Sequence, residues 1–134
     1  MSNTKTKSPG KSSEDYLESI LKLRQKNGKV RSIDIVNDLN FSKPSVSIAM
    51  KKLKDEGYIN IIDNSITLTN SGEEIATRIY DRHKLIGQLL IDIGVEEKRA
   101  FSEACEIEHC ISSDTFSLLA KAVSKNKNKN KATS

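Results

Sequence analysis

The sequence predicts a mainly α-helical chain with one small β-hairpin: a winged helix-turn-helix followed by a second, helical domain. Three observations predict it. Apolar residues recur at helical spacing from Tyr16 to Leu53, the period drops to two between Ile59 and Leu68, and helical spacing returns from Ile75 to Val123. The order helix, helix, helix, hairpin is that of a winged helix-turn-helix.

Each element has its own signals. Tyr16, Leu17, Ile20, Leu21 and Leu23 form a stripe that ends near Asn27-Gly28. Ile33, Val36 and Leu39 mark a short second helix starting at Ser32. After the turn Asn40-Phe41-Ser42, Ser42 can cap a third helix with Pro44 in its first turn. Val46, Ala49, Met50 and Leu53 are the inward stripe of that helix, which stops at Gly57. Ile59 and Ile61 alternate with Asn60, Asp63-Asn64-Ser65 makes a turn, and Ile66 and Leu68 alternate with Thr67. Thr69 caps a long helix through Ile75, Ile79, Ile86, Leu89 and Leu90 to Gly94. Further helices follow over Glu96 to Ile111 and from Ser113 through Phe116, Leu119 and Val123.

Composition narrows the class. The chain has 134 residues, 36% of them hydrophobic and 30% charged, with no apolar run long enough to span a membrane. Met1 to Ser13 holds lysines but no apolar core behind them, unlike a secretory signal. Cys105 and Cys110 would point about 140° apart on one helix, which disfavours a disulfide and predicts a reduced, cytoplasmic protein. The basic segment 1–13 and the Lys/Asn run 124–134 are expected to be disordered. Between them, 14–70 reads as the winged helix-turn-helix and 71–123 as the helical domain.

The net charge of +4 is unevenly spread. Residues 20–62 carry nine basic and four acidic groups, whereas 63–123 carry six basic and eleven acidic. One half suits phosphates and the other cations.

With the Val46 stripe inward, the third helix turns Pro44, Ile48, Lys51 and Lys52 outward, flanked by Ser45 and Ser47 and preceded by Ser42 and Lys43. Small hydroxyls near the N-terminus permit close approach to a major groove. The lysines suit phosphates, and Ile48 suits thymine methyls. A solvated lysine face on a helical bundle would have the same composition, but a bundle has no use for the hairpin after Gly57.

In the acidic half, Cys105, Glu108 and His109 stand at i, i+3 and i+4 on one helical face, with His83 midway along the long helix. Asp15 and Glu18 stand at i, i+3 on the first helix. Packed helices can converge such groups on a divalent ion with mixed oxygen, nitrogen and sulfur donors. Singly they also have ordinary readings: a helix-terminal charge for Asp15, a core histidine for His83, a small apolar residue for Cys105. A metalloenzyme using Cys105 as nucleophile beside His109 is a weaker reading, since no oxyanion loop or glycine-rich phosphate cradle accompanies it.

The segments EDYLESILKL, KPSVSIAMKKLKDEGYI, ITLTNSGEEIA, RHKLIGQLL and EACEIEH resemble the iron- and manganese-dependent repressors, over roughly residues 14 to 120. The resemblance implies a metal-binding and dimerisation role for the second domain. It implies a homodimer on a palindromic double-stranded operator, controlling metal-ion homeostasis genes. Its metal ligands fall on Asp15, Glu18, His83, Cys105, Glu108 and His109. Its cofactor would be Fe(II) or Mn(II), with Co(II) or Zn(II) as substitutes in vitro; neither a membrane nor an organic substrate is implied. Manganese-type members carry Glu where this chain has Cys105, and iron-type members lack the acids of the first helix. Ancillary ligands of iron-type members fall on Gly87 and Phe101, which offer no donor. The chain ends where longer members have an SH3-like domain, so it resembles the short architecture. The alternative within this class is a winged-helix regulator whose metal site is vestigial or differently used.

Overall fold

The structure, a computed structural model, describes the backbone of residues 9–133 and the side chains of 9–125. In order it runs α1 Lys11–Asn27, α2 Ser32–Leu39, α3 Lys43–Asp55, β1 Ile59–Ile62, β2 Ser65–Leu68, α4 Asn70–Asp92, α5 Glu97–Ile107 and α6 Ser113–Thr133. Two compact units, Met1–Ile79 and Tyr80–Ser134, divide it within α4, beyond the boundary read at residue 70.

In the first unit the stripe of α1 is buried as its spacing requires, with Leu17, Ile20 and Leu21 at 3% exposure or less. Val46, Met50 and Leu53 of α3 and Ile59 and Ile66 of the hairpin join the same core. On α2 the inward residue is Ile35, wholly buried, while Ile33 is 39% exposed. A helix of eight residues carrying Ile33, Ile35, Val36 and Leu39 offers two competing apolar faces, and packing on α1 and α3 selects the one with Ile35. Tyr16 and Phe41 meet edge to face with ring centroids 5.7 Å apart.

The hairpin pairs Ile59 with Leu68 and Ile62 with Ser65. Its loop is therefore only Asp63-Asn64, both at positive φ (50° and 66°), the two-residue turn whose twist matches the strands. Ser65 belongs to the strand, not to the turn as its composition implied. Ile66 N–H also donates to Val30 O at 2.8 Å, tying the wing to the segment before α2.

Thr69 caps α4 as expected: its Oγ1 accepts from Gly72 N at 3.2 Å and donates to Gly57 O at 2.7 Å. Gly72 permits the approach, because a Cβ there would fall on the carbonyl oxygen of Tyr58. Arg24 of α1 then holds Glu73 through two hydrogen bonds of 2.7 Å.

The second unit comprises the rest of α4 with α5 and α6. Ala100 and Ala104, wholly buried, are small enough to let α5 pack closely. α5 ends at Ile107 rather than at 111, leaving Glu108 to Ser112 as a turn.

Both terminal expectations need correction where the structure describes them. Lys11 to Ser13 open α1, and residues 1–8 lie outside the described residues. The Lys/Asn run continues α6 as far as Thr133. Lysine is a good helix former, and extending a helix costs less than starting one.

The Arg24–Glu73 pair gives a pH signature. The Arg24 guanidinium, donating two hydrogen bonds, holds the Glu73 carboxyl below the usual carboxylate range. The pair is about two-fifths exposed, so its worth stays within about 1 kcal/mol. A depressed carboxylate stabilises above its unfolded pKa and loses that stabilisation as pH falls through its folded one. Urea unfolding of wild type and Glu73→Gln should differ at neutral pH and converge in acid; a gap that widens on acidification contradicts the pairing.

Candidate metal centre and nucleic-acid interface

In the second unit three donors converge. One ligand atom each from His83, Cys105 and Glu108 lie within 4.8 Å of one another. Donors bound to one ion at about 2.0–2.3 Å are at most about 4.6 Å apart, so the set fits a divalent transition ion after little closure. His83, from the middle of α4, places Nδ1 3.0 Å from Glu108 Oε1. Glu108 is wholly buried, and its Oε2 lies 3.5 Å from His109 Nε2. Imidazole, thiol and carboxylate make the mixed donor set that later first-row divalent ions favour over magnesium or calcium.

Glu108 falls just past the last residue of α5 but keeps helical backbone angles (φ −59°, ψ −24°), so it stays near Cys105 although the helix ends early. Cys110 stands apart from the cluster, exposed, with its Sγ 3.4 Å from Glu106 O. Cys105 and Cys110 form no disulfide.

Asp15 and Glu18 belong to the first unit. Glu18 is buried at 3% exposure, and Asp15 is half-buried with Lys11 Nζ at 3.1 Å. Glu14 beside them is also buried, 3.7 Å from Arg78 Nη2. Acids turned away from water in this way are found with cationic counterparts, as Lys11 and Arg78 are for Asp15 and Glu14.

Sequence reasoning missed Arg82. Its Nη1 donates to the carbonyls of Glu108 and Ile111, both at 3.2 Å, and Nη2 to Ser113 Oγ at 3.0 Å. The guanidinium also covers the Phe116 ring at 5.4 Å. This buried cation pins the turn bearing Glu108 and His109. Its adjacency to His83 was visible, but two of its three acceptors are main-chain groups that no side-chain pattern reveals.

The outward face of α3 lies in the first unit. Ser42 caps it, its Oγ accepting from Ser45 N at 3.2 Å and donating to Ser45 Oγ at 2.8 Å. Lys43, Pro44, Ser45, Ser47, Lys51 and Lys52 are exposed, and Ile48 is 71% exposed. Lys51 reaches Asp55 at 3.5 Å in a fully solvated pair of little energetic weight. Helix-face reasoning did not include the wing, where Ile62 is exposed and a cleft of about 470 Å³ runs between Lys29 and Arg31 and the turn at Asp63-Asn64.

The family model described as iron dependent repressor, N-terminal DNA binding domain, matches residues 10–63. The one described as iron dependent repressor, metal binding and dimerisation domain, matches residues 69–131. This chain belongs to the iron-dependent repressor family. Its relatives are HTH-type transcriptional regulators, not enzymes. An uncharacterized HTH-type transcriptional regulator of Methanocaldococcus jannaschii is 37% identical over 119 residues, covering 87% of this chain and 95% of that one. The HTH-type transcriptional regulator MntR of Lysinibacillus sphaericus is 34% identical, over 86% of this chain and 84% of its own. Among solved structures, T. acidophilum IdeR superposes with a TM-score of 0.74 at 28% identity, over 83% of this chain. The manganese regulator SloR does so with 0.75 at 28%, over 88%. This chain spans about half the length of those two, 53% and 55%. No helix among the described residues is long and apolar enough to cross a membrane.

Arg82 yields a test that needs no metal. Removing it strands buried carbonyls, each costing about 1–3 kcal/mol. Arg82→Ala should lower stability and speed hydrogen exchange at the amides of 108–113 more than along α4. Arg82→Lys should recover only part, having no planar fork. Uniform exchange in Arg82→Ala would count against a local clamp.

Proposed function

We propose that the chain is a homodimeric repressor, activated by a divalent transition ion, that binds a palindromic operator and controls genes of metal homeostasis. The observation that carries it is the convergence of His83, Cys105 and Glu108 in a chain whose other unit exposes an N-capped helix with Ile48 and two lysines outward. His83, Cys105, Glu108 and His109 are the proposed ligands of the second unit, and Asp15 and Glu18 those of the first. Fe(II) or Mn(II) are the ions proposed, with Co(II) or Zn(II) as substitutes. An ion held by these donors would favour whichever state of the chain binds it better, a population shift bounded by the difference in affinity between the two states. On the DNA side, Ser42, Lys43, Lys51 and Lys52 are proposed for phosphates, and Pro44, Ser45, Ser47 and Ile48 for close approach and base contact. Ile93 and Leu118, 72% and 67% exposed in the second unit, support burial against a second copy.

Operator binding with added metal and with chelator tests the whole. Affinity should fall by at least an order of magnitude with chelator or in Asp15→Asn, while sedimentation still reports a dimer. Lys51→Ala and Lys52→Ala should weaken specific and random DNA alike and each lower the salt slope by about one. Equal affinity in chelator would refute metal activation; unchanged slopes would refute the assigned face.

Metal choice should turn on Cys105. A thiolate favours softer ions, and Mn(II) stands lowest in the affinity series. Fe(II) and Co(II) should therefore activate DNA binding at lower free concentration than Mn(II), and Cys105→Glu should shift the ranking toward Mn(II). A mutant with unchanged ranking means the sulfur does not select.

A further inference from the structure

Gly87 lies one turn beyond His83 on α4, and Phe101 lies one turn before Cys105 on α5. A Cβ at Gly87 would overlap Phe101 Cδ1 and Cε1, with Cζ at 3.2 Å. The ring therefore sits directly on the α4 backbone, in a notch that exists only because residue 87 has no side chain. The same ring lies against the His83 imidazole, with centroids 5.4 Å apart and planes inclined by 31°. The imidazole also meets Glu108, Nδ1 to Oε1 at 3.0 Å.

An imidazole turns broadly about its last torsion. A ring face packed beside it restricts the rotation. Because Phe101 and Cys105 share a face of α5, the seat at Gly87 also governs how near Cys105 comes to His83.

We propose that Phe101, seated in the notch at Gly87, is a positioning residue that holds the His83 imidazole with Nδ1 aimed at the Glu108 carboxylate. The inference rests on the reading of His83 and Glu108 as metal ligands. Phe101 donates nothing to the ion; it reduces the freedom that binding would otherwise remove, as groups packed behind ligands do. Simple filling of the core predicts otherwise, since leucine would then replace the ring with little effect on the imidazole.

The test uses the full chain, in two readouts. In metal-free protein, nuclear magnetic resonance should show His83 ring protons shifted upfield by the Phe101 ring. Phe101→Leu and Gly87→Ala should both abolish that shift, the first by removing the ring and the second by displacing it. Co(II) titration followed by absorption should show binding weakened about tenfold in each, with altered ligand-field bands. Phe101→Tyr, which keeps the ring, should retain both signals. The double variant should be no worse than either single one, since both remove the same contact. Melting curves identify any variant that fails to fold, and Phe101→Leu is the one that preserves apolar volume. Unchanged Co(II) affinity and bands in folded Phe101→Leu, or additive losses in the double variant, would overturn the positioning role alone. If His83→Ala leaves Co(II) binding and bands unchanged, the ligand reading itself fails and this inference falls with it.

Discussion

The second unit is organised around one costly group, the carboxylate of Glu108. It is wholly buried just past the last residue of α5. Removing a carboxylate from water costs several kcal/mol unless cations or hydrogen bonds answer it. The end of a helix worsens the cost, because the macrodipole presents negative charge there. The neighbours of this turn answer both problems. His83 and His109 approach the carboxylate, while Arg82 takes the main-chain carbonyls of Glu108 and Ile111. A group so placed favours any cation that reaches it, which is the physical basis for the metal site proposed there.

Replacing this arrangement by apolar residues would satisfy stability more simply, as buried ion pairs seldom outperform good packing. Its place beside the Cys105 thiol is consistent with a segment that matches the family's metal binding and dimerisation domain. The first unit answers a different demand. Its core leaves the outer face of α3 free of internal packing, so that Ile48 and the lysines stay exposed. Thr69, Gly72 and the Arg24–Glu73 pair bring the start of α4 against the hairpin end and α1. The wing and the helix that leaves it are held by short-range bonds within a single unit.

Most helices were legible because their apolar periods were long enough to be unambiguous, and because Ser42 and Thr69 are capping residues. The hairpin was legible from its change of period, although only its register reduced the loop to Asp63-Asn64. The donor types were legible as well: Cys105, Glu108 and His109 share a face by spacing, Asp15 and Glu18 stand at i, i+3 on the first helix, and His83 stands midway along the long one. Short or unpatterned features were less so. Ile33 and Ile35 compete within eight residues, and the Lys/Asn run has helix-forming lysines but no apolar stripe to announce it.

What the sequence by itself determined is the class of the molecule: periodicities, caps, charge division and donor types are local properties that any reader of the chain can extract. What only the tertiary structure decided is how those groups are held. Arg82 finds main-chain acceptors 26 and 29 residues away, and Phe101 finds the absent side chain of Gly87 beneath the His83 ring. Such contacts depend on backbone atoms and on empty space brought together from distant segments. Neither leaves a period or a motif in the sequence, so packing alone selects them.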